Sequence, residues 1–125
     1  MNVLEINVLA LAYLGDAIYE LYIRKELLKR HSLVNDMQKE ALKYVSAKGQ
    51  ANFLEKMIDE NFLNEEEVSV IKRARNNKAG TRPKNCDPMT YKKATGLEAL
   101  IAHLYLSKKE NRIEEIMSYI LEEEC

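Results

Sequence analysis

Two acidic side chains stand isolated in apolar stretches of this sequence, and their chemistry suits metal binding. Asp16 lies within residues 8–23 and Glu98 lies at the centre of residues 94–106, both of which are otherwise almost wholly apolar. An unpaired buried charge is costly and Asp is a poor interior helix residue, so we expect something to offset the cost at each position. Carboxylate oxygens suit Mg²⁺, which takes one or two of them and keeps several waters.

The helical neighbours of the two carboxylates are mostly small, apolar or aromatic. For Asp16 they are Leu9, Ala12, Tyr13, Tyr19, Glu20 and Ile23, and for Glu98 they are Tyr91, Ala94, Thr95, Ile101, Ala102 and Tyr105. If the two helices pack together, the pair can chelate a divalent cation. Alternatively, each carboxylate meets a Lys, an Arg or a backbone N–H group where helices cross, because structural ion pairs also occupy such positions.

A basic segment lies between the two carboxylates in the sequence. Residues 72–93 contain eight basic residues and one acidic residue, so the segment carries +7 while the rest of the chain carries −8. This asymmetry indicates a local binding surface for a polyanion, although a solvated charge run is the plainer alternative. The candidates for phosphate contacts are Arg73, Arg75, Lys78, Arg82 and Lys84. An acidic metal site beside a basic loop is what phosphodiester chemistry needs.

Length and composition indicate one globular domain spanning residues 1–125. Apolar residues make up 46% of the chain, and it contains only four Gly and two Pro. The two cysteines, Cys86 and Cys125, lack metal-ligand spacing and are expected to be free thiols in a reducing compartment. We expect no signal peptide, and residues 8–23 are too short and too interrupted to form a membrane span.

Helix signals dominate the chain, and the alternation typical of strands is missing. The pattern predicts helices over about residues 5–30, 36–45, 46–60, 65–75, 88–108 and from 111 to the C-terminal region. Asn35, Asn64 and Asn111 are predicted caps, and Asp87 followed by Pro88 is a further start signal. The predicted fold is all-α, a compact bundle of about six or seven helices.

Several motifs resemble the ribonuclease III family. The sequence Leu-Gly-Asp-Ala at residues 14–17 resembles the core of that family's signature, and Leu-Glu-Ala-Leu at residues 97–100 resembles its second acidic motif. Residues 9–20, 45–51, 72–87 and 90–106 resemble, in the same order, the short bacterial Mini-III branch, which lacks a double-stranded-RNA-binding domain. The run Arg-Asn-Asn-Lys-Ala-Gly-Thr-Arg-Pro-Lys-Asn at residues 75–85 is the most specific of these stretches.

The resemblance implies the ribonuclease III endonuclease-domain fold and a specific activity. It implies an endoribonuclease that cuts double-stranded RNA with Mg²⁺ and leaves 5′-phosphate and 3′-hydroxyl ends. It also implies a cytoplasmic bacterial homodimer with two sites along one RNA-binding valley. For the Mini-III branch the implied substrate is the precursor of 23S ribosomal RNA, with a large-subunit ribosomal protein assisting.

The resemblance also assigns roles to the two carboxylates. Asp16 is implied to be catalytic and metal-ligating, and Glu98 is implied to be the metal-ligating glutamate of the same catalytic site. The full-length family has two further acids, at positions occupied here by Ala12 and Thr95. Fewer charges imply weaker Mg²⁺ binding and a metal shell completed by water and RNA phosphates.

Other polar residues receive weaker assignments. Ser46, Lys48 and Gln50 could extend the RNA surface. Tyr13, Tyr91 and Tyr105 lie on the carboxylate faces and could hydrogen-bond to the site. His31 and His103 are expected to be structural.

Two other functions stay open on the sequence. The missing acids at positions 12 and 95 fit a non-catalytic RNA-binding or ribosome-assembly module on the same fold. A helical interaction protein whose acids are purely structural is the third possibility, and it predicts no salt-dependent affinity for RNA.

Overall fold

Six α-helices follow one short 3₁₀ helix in the part of the chain that the structure, a computed structural model, describes: residues 2–77 and 87–122. The elements are the 3₁₀ helix Val3–Glu5, α1 (Val8–Arg30), α2 (Val34–Val45), α3 (Ala47–Asp59), α4 (Glu65–Arg75), α5 (Pro88–Leu106) and α6 (Glu110–Glu122). These residues include no strand, so the predicted all-α bundle of six or seven helices is confirmed. None of the described helices is long and apolar enough to cross a membrane.

Three of the predicted helix starts are confirmed by their side-chain caps. The Ser46 side chain accepts from the Gly49 amide at α3, and Asp87 accepts from the Thr90 amide at α5. At α4 the side chains of Asn64 and Glu67 accept from each other's backbone N–H groups and form a capping box. Local capping chemistry therefore sets these three boundaries.

Two predicted caps are wrong. Helix α2 begins at Val34, after Leu33, and has no side-chain cap, so Asn35 lies inside its first turn. Helix α6 begins at Glu110, which places Asn111 inside the helix. The reason at α6 is the turn before it: Lys108 has a φ of 62°, and the Lys109 amide donates to the Leu104 carbonyl at 2.8 Å. Because this turn ends α5 sharply, α6 can begin at Glu110, before the start that the sequence predicted.

Helix α5 is the central element of the bundle. It packs against α1, α3 and α4, and most of its side chains are buried all round, as expected for a helix that is apolar on every face. The buried side chains at its centre are Leu97, Leu100, Ile101 and Leu104. Helix α5 also contacts α6, so it receives contacts from helices that lie both before and after it in the sequence.

An ion pair between Glu67 and Arg112 links α4 to α6. The Glu67 carboxylate, which is 2% exposed, accepts from Arg112 Nε at 2.8 Å and from a terminal guanidinium nitrogen at 2.9 Å. Arg112 also donates to the Phe62 carbonyl at 2.6 Å. Because both charges are satisfied, removal of either partner would leave a buried charge unpaired.

The closest backbone approach at the site is between α1 and α5, where Gly15 faces the backbone of Glu98. A Cβ atom at position 15 would lie 1.7 Å from the Glu98 carbonyl oxygen. That oxygen belongs to a helix backbone and has no rotamer with which to move away. Gly15 is therefore required for the crossing of the two helices that carry the isolated carboxylates.

We predict that Gly15→Ala lowers the free energy of unfolding by about 3 kcal/mol or more, because α1 and α5 must separate to admit the methyl group. Urea unfolding followed by circular dichroism measures this loss. Gly96→Ala is the matched control, since the nearest atom to its Cβ would be a side-chain methyl group of Ile71, at 3.3 Å, and the Ile71 backbone would lie at ordinary contact distances of 3.6 and 3.7 Å. Equal, small losses of unfolding free energy in both variants would contradict the close approach of α1 and α5 at Gly15.

Candidate active site

Asp16 of α1 and Glu98 of α5 line the same surface pocket, whose volume is about 330 Å³. The pocket is bounded by Leu9, Ala12, Tyr13, Asp16, Tyr91, Thr95 and Glu98. Two residues that are 82 positions apart in the sequence thus share one opening to solvent. The tight crossing at Gly15 brings them together, because Gly15 directly precedes Asp16 and touches the Glu98 backbone.

The two carboxylates differ in exposure, and this corrects the expectation that both are buried. Glu98 is partly buried, whereas Asp16 is exposed. The long apolar run around Asp16 was misleading because one face of α1 is both apolar and solvent-exposed. Tyr13 is 86% exposed and Leu21 is 57% exposed on that face.

Burial and the neighbouring Asp16 carboxylate control the charge of Glu98. Burial raises the pKa of Glu98 to about 8, and a side-chain hydrogen bond with Asp16 and the Asp16 charge act in the same direction. A side-chain hydrogen bond from Gln50 lowers this pKa, and the charge of Glu20 raises it. Glu98 is therefore largely protonated at neutral pH unless a cation joins the pair.

The surroundings of the pair do not fit the alternative in which cationic side chains neutralise it. Within residues 2–77 and 87–122, no ion pair includes Asp16 or Glu98. Asp16 lies beside Glu98 instead, and its effect is to raise the pKa of Glu98. Paired carboxylates without a cationic side chain are the donor set that a hard divalent cation prefers.

The donor set is small. In the described ranges, no group of three or more His, Cys, Asp or Glu side chains could hold a metal ion together. Ala12 and Thr95, at the positions where the resemblance predicts further acids, are buried in the pocket wall. The pocket thus suits an ion that takes two protein carboxylates and completes its shell with other oxygens, which is a common arrangement for Mg²⁺.

The suggestion that Gln50 could extend the RNA surface is wrong. Its side chain is 2% exposed, and its amide Nε2 donates to Glu98 Oε2 at 3.4 Å. Gln50 occupies the core face of α3 together with Leu54 and Met57. The spacing of these residues, i, i+4 and i+7, was the signal in the sequence that could have placed it inside.

The tyrosines near the carboxylates divide into different environments. Tyr13 and Tyr91 line the pocket, whereas Tyr105 is 46% exposed and is not among the pocket's lining residues. Tyr19 is fully buried beneath the site, and its hydroxyl donates to the Tyr44 carbonyl at 2.6 Å. Burial, followed by the Glu98 charge, raises the pKa of Tyr19, so this hydroxyl stays protonated.

The basic candidates lie at the end of α4 and in the segment that follows. Arg73 is partly buried, and its guanidinium donates to the Ile6 carbonyl. Arg75 is partly buried, and its Nε is enclosed with no hydrogen-bond partner among the residues that the structure describes. Lys78, Arg82 and Lys84 lie outside the described residues. Arg73 thus has a structural partner, and the phosphate contacts of all five stay predictions.

Both histidines bond to glutamates away from the pocket. His31 Nε2 lies 2.5 Å from Glu40 Oε1, and His103 Nε2 lies 3.0 Å from Glu66 Oε1. The hydrogen bond from His103 lowers the pKa of Glu66. These contacts join neighbouring helices, which agrees with structural roles.

Comparison with known proteins places this arrangement in context. Residues 9–109 match the model of the Ribonuclease III domain. Similar curated proteins named Mini-ribonuclease 3 come from Staphylococcus aureus (42% identity, covering 93% of this chain and 87% of the relative), Enterococcus faecalis (43%, 94% and 89%) and Brevibacillus brevis (48%, 89% and 82%). A crystal structure of a Fusobacterium nucleatum protein is similar with a TM-score of 0.86 and 41% identity, covering 97% of this chain and 96% of that one.

The raised pKa of Glu98 predicts a pH-dependent stability of the metal-free protein. A carboxyl group with a folded pKa near 8 and an unfolded pKa near 4.5 stabilises the fold below pH 4.5, and this contribution is lost as the pH rises to 8. Glu98→Gln is neutral throughout, so in EDTA at pH 8.5 its free energy of unfolding should exceed that of the wild type by an amount on the order of 3 kcal/mol, and its melting temperature should be higher.

The gain should shrink as the pH falls toward 5, where wild-type Glu98 is protonated as well. Differential scanning calorimetry of both proteins between pH 5 and pH 8.5 measures the gain in stability. Glu114→Gln, which removes an exposed carboxylate on α6, is the control. A gain that is no larger at pH 8.5 than at pH 5 would contradict the raised pKa.

Proposed function

We propose a specific reaction for this chain from the premise that it belongs to the ribonuclease III family, within which it is an endoribonuclease of the Mini-ribonuclease 3 group. That family acts on double-stranded RNA and is generally metal-dependent. In our proposal the chain cleaves double-stranded RNA with Mg²⁺ and leaves 5′-phosphate and 3′-hydroxyl ends. The observation that carries the proposal is the Asp16–Glu98 pair in one open pocket, without a cationic partner among residues 2–77 and 87–122.

Asp16 and Glu98 are the proposed catalytic and metal-ligating residues. Asp16 is exposed and presents its carboxylate to solvent, where an RNA backbone can approach. Glu98 lies on the inner side of the pocket and would hold a divalent cation in its deprotonated form. When bound, Mg²⁺ supplies the activation of water and the neutralisation of charge on the scissile phosphate.

RNA phosphates are proposed to bind the basic segment at the end of α4. The proposed contacts are Arg73, Arg75, Lys78, Arg82 and Lys84. Arg73 and Arg75 lie in the last turn of α4, directly before the rest of the basic segment, which places positive charge at that end of the helix. Such contacts hold a duplex in register without reading its sequence, in keeping with recognition of double-stranded RNA by shape.

We propose that the chain acts as a homodimer through the exposed apolar face of α1. This face consists of Ala10, Tyr13, Ala17 and Leu21, which recur every three or four residues and are all exposed. A contiguous apolar stripe containing an aromatic side chain is costly in water and is typical of an interface. Because Tyr13 also lines the pocket, a dimer on this face would set the two active sites close to one interface.

The natural substrate is proposed from the resemblance to the Mini-III branch. The precursor of 23S ribosomal RNA is the proposed substrate, and a large-subunit ribosomal protein is the proposed assisting partner. A cytoplasmic location accompanies this assignment, because that RNA matures there.

We expect purified protein to cut a long RNA duplex in Mg²⁺ and to be inactive in EDTA. Asp16→Asn and Glu98→Gln should each lower the cleavage rate by at least about 100-fold, because each removes a metal ligand, while duplex binding in Ca²⁺ changes little. Denaturing gels and end-labelling of the products measure rate and end chemistry. Glu20→Gln, which alters a partly exposed acid one turn after Asp16, should keep its rate within about threefold.

Retention of the wild-type rate in Asp16→Asn would refute the proposed mechanism. If wild-type protein binds duplexes without cutting them at any Mg²⁺ concentration, the non-catalytic RNA-binding module is favoured instead. The absence of acids at Ala12 and Thr95 is the observation behind that second candidate.

The dimer proposal predicts that Leu21→Lys produces a monomer. The lysine charge would have to be buried against the partner copy, so the mass measured by light scattering after gel filtration should fall by half. Leu42→Lys on α2 is the control, because Leu42 is 64% exposed, similar to Leu21 at 57%, but lies off the α1 face. A wild-type monomer at tens of micromolar would overturn the proposal.

A further inference from the structure

The side chain of Gln50 makes the one polar contact to Glu98 that comes from outside α1 and α5 among the hydrogen bonds of the described residues. Gln50 lies on α3, which packs against α5 and contributes Gln50, Ala51, Leu54 and Met57 to the buried face. Leu or Met at position 50 would complete this apolar face. An amide is costly to bury unless it is hydrogen-bonded, so its presence there needs an explanation.

The contact geometry supplies that explanation. Gln50 Nε2 donates to Glu98 Oε2 at 3.4 Å from the buried side, while Asp16 lines the same pocket as Glu98. The backbone of Glu98 is fixed against Gly15 of α1. Two restraints therefore act on Glu98: the helix crossing holds its backbone, and the Gln50 amide holds its carboxyl end.

The chemical type of the donor matters as much as its position. A Lys or Arg at position 50 would also orient the carboxylate, but its positive charge would repel a metal cation and neutralise the ligand. A neutral amide donates a hydrogen bond to the ionised form and adds no net charge. It also does not titrate, so its orientation of Glu98 is the same at every working pH.

We infer that Gln50 is a positioning residue that holds the Glu98 carboxylate in the orientation required to bind a divalent cation. Gln50 acts through Glu98 and is not itself a ligand. Partners behind a metal ligand typically contribute 10- to 100-fold to metal affinity. The inference rests on the proposed metal site.

The test uses Gln50→Met, which keeps the length of the side chain and removes the donor. Isothermal titration of the purified protein with Mn²⁺ alone, without RNA, should show a dissociation constant about 10-fold higher than that of the wild type. The melting temperature in EDTA should change by only a few degrees, since an apolar side chain fills the same space. Gln38→Met, at an exposed position on α2, should bind Mn²⁺ as the wild type does.

Cleavage kinetics provide a second measurement. In Gln50→Met the Mg²⁺ concentration for half-maximal rate should rise about 10-fold, and the maximal rate should be largely recovered at high Mg²⁺. Glu98→Gln should not recover at any concentration, because the ligand itself is lost. If Gln50 had only a structural role, Gln50→Met would lower the melting temperature and leave both metal titrations unchanged.

Several outcomes would overturn the inference. Unchanged Mn²⁺ affinity in a folded Gln50→Met would do so, as would failure of the wild type to bind Mn²⁺. If Gln50→Met does not fold, Gln50→Leu replaces it in the same titrations. The proposed function is tested separately: wild-type protein that binds Mn²⁺ but cuts no duplex contradicts the nuclease proposal, while weaker Mn²⁺ binding in the variant still supports the role of Gln50.

Discussion

The backbone contact between Gly15 and Glu98 is the constraint on which the rest of this structure depends. Where a side chain at position 15 would collide with the Glu98 carbonyl, the missing Cβ lets α1 and α5 cross at close range. The next residue, Asp16, is thereby placed beside the Glu98 side chain. One glycine thus links the packing of the bundle to the chemistry of its pocket.

That crossing has an electrostatic consequence. It holds two carboxylates together without a cationic side chain in the described chain, so the protein without metal keeps Glu98 protonated at neutral pH. Elsewhere the bundle pairs its buried charges: Glu67 meets Arg112, and Glu40 accepts from Arg30. The scaffold therefore contains satisfied ion pairs, whereas the pocket contains a carboxylate pair that is not neutralised. This contrast is typical of a functional site, where a ligand neutralises the charge and the protein without ligand is less stable.

Much of the fold could be predicted because its signals are local. Helix α4 starts at Asn64 through a capping box of residues three apart, and α5 starts at Asp87 and Pro88 for the same kind of reason. The errors at Asn35 and Asn111 arose where no side chain caps the helix, or where a turn at Lys108, with a positive φ, moved the boundary. The exposure of Asp16 was also mispredicted, because an apolar face on a helix has the same sequence pattern whether it meets a core or faces solvent.

The sequence by itself determined the all-helical class, the family, and Asp16 and Glu98 as candidate residues, because helix periodicity, capping residues and short motifs are all encoded within a few positions of one another. Only the tertiary structure decided that the two carboxylates share a pocket, that Asp16 faces solvent while Glu98 is half-buried, and that Gln50 lies behind Glu98. These relations join α1, α3 and α5 across dozens of residues. They depend on which helix faces meet and how closely, and no local pattern in the sequence specifies that.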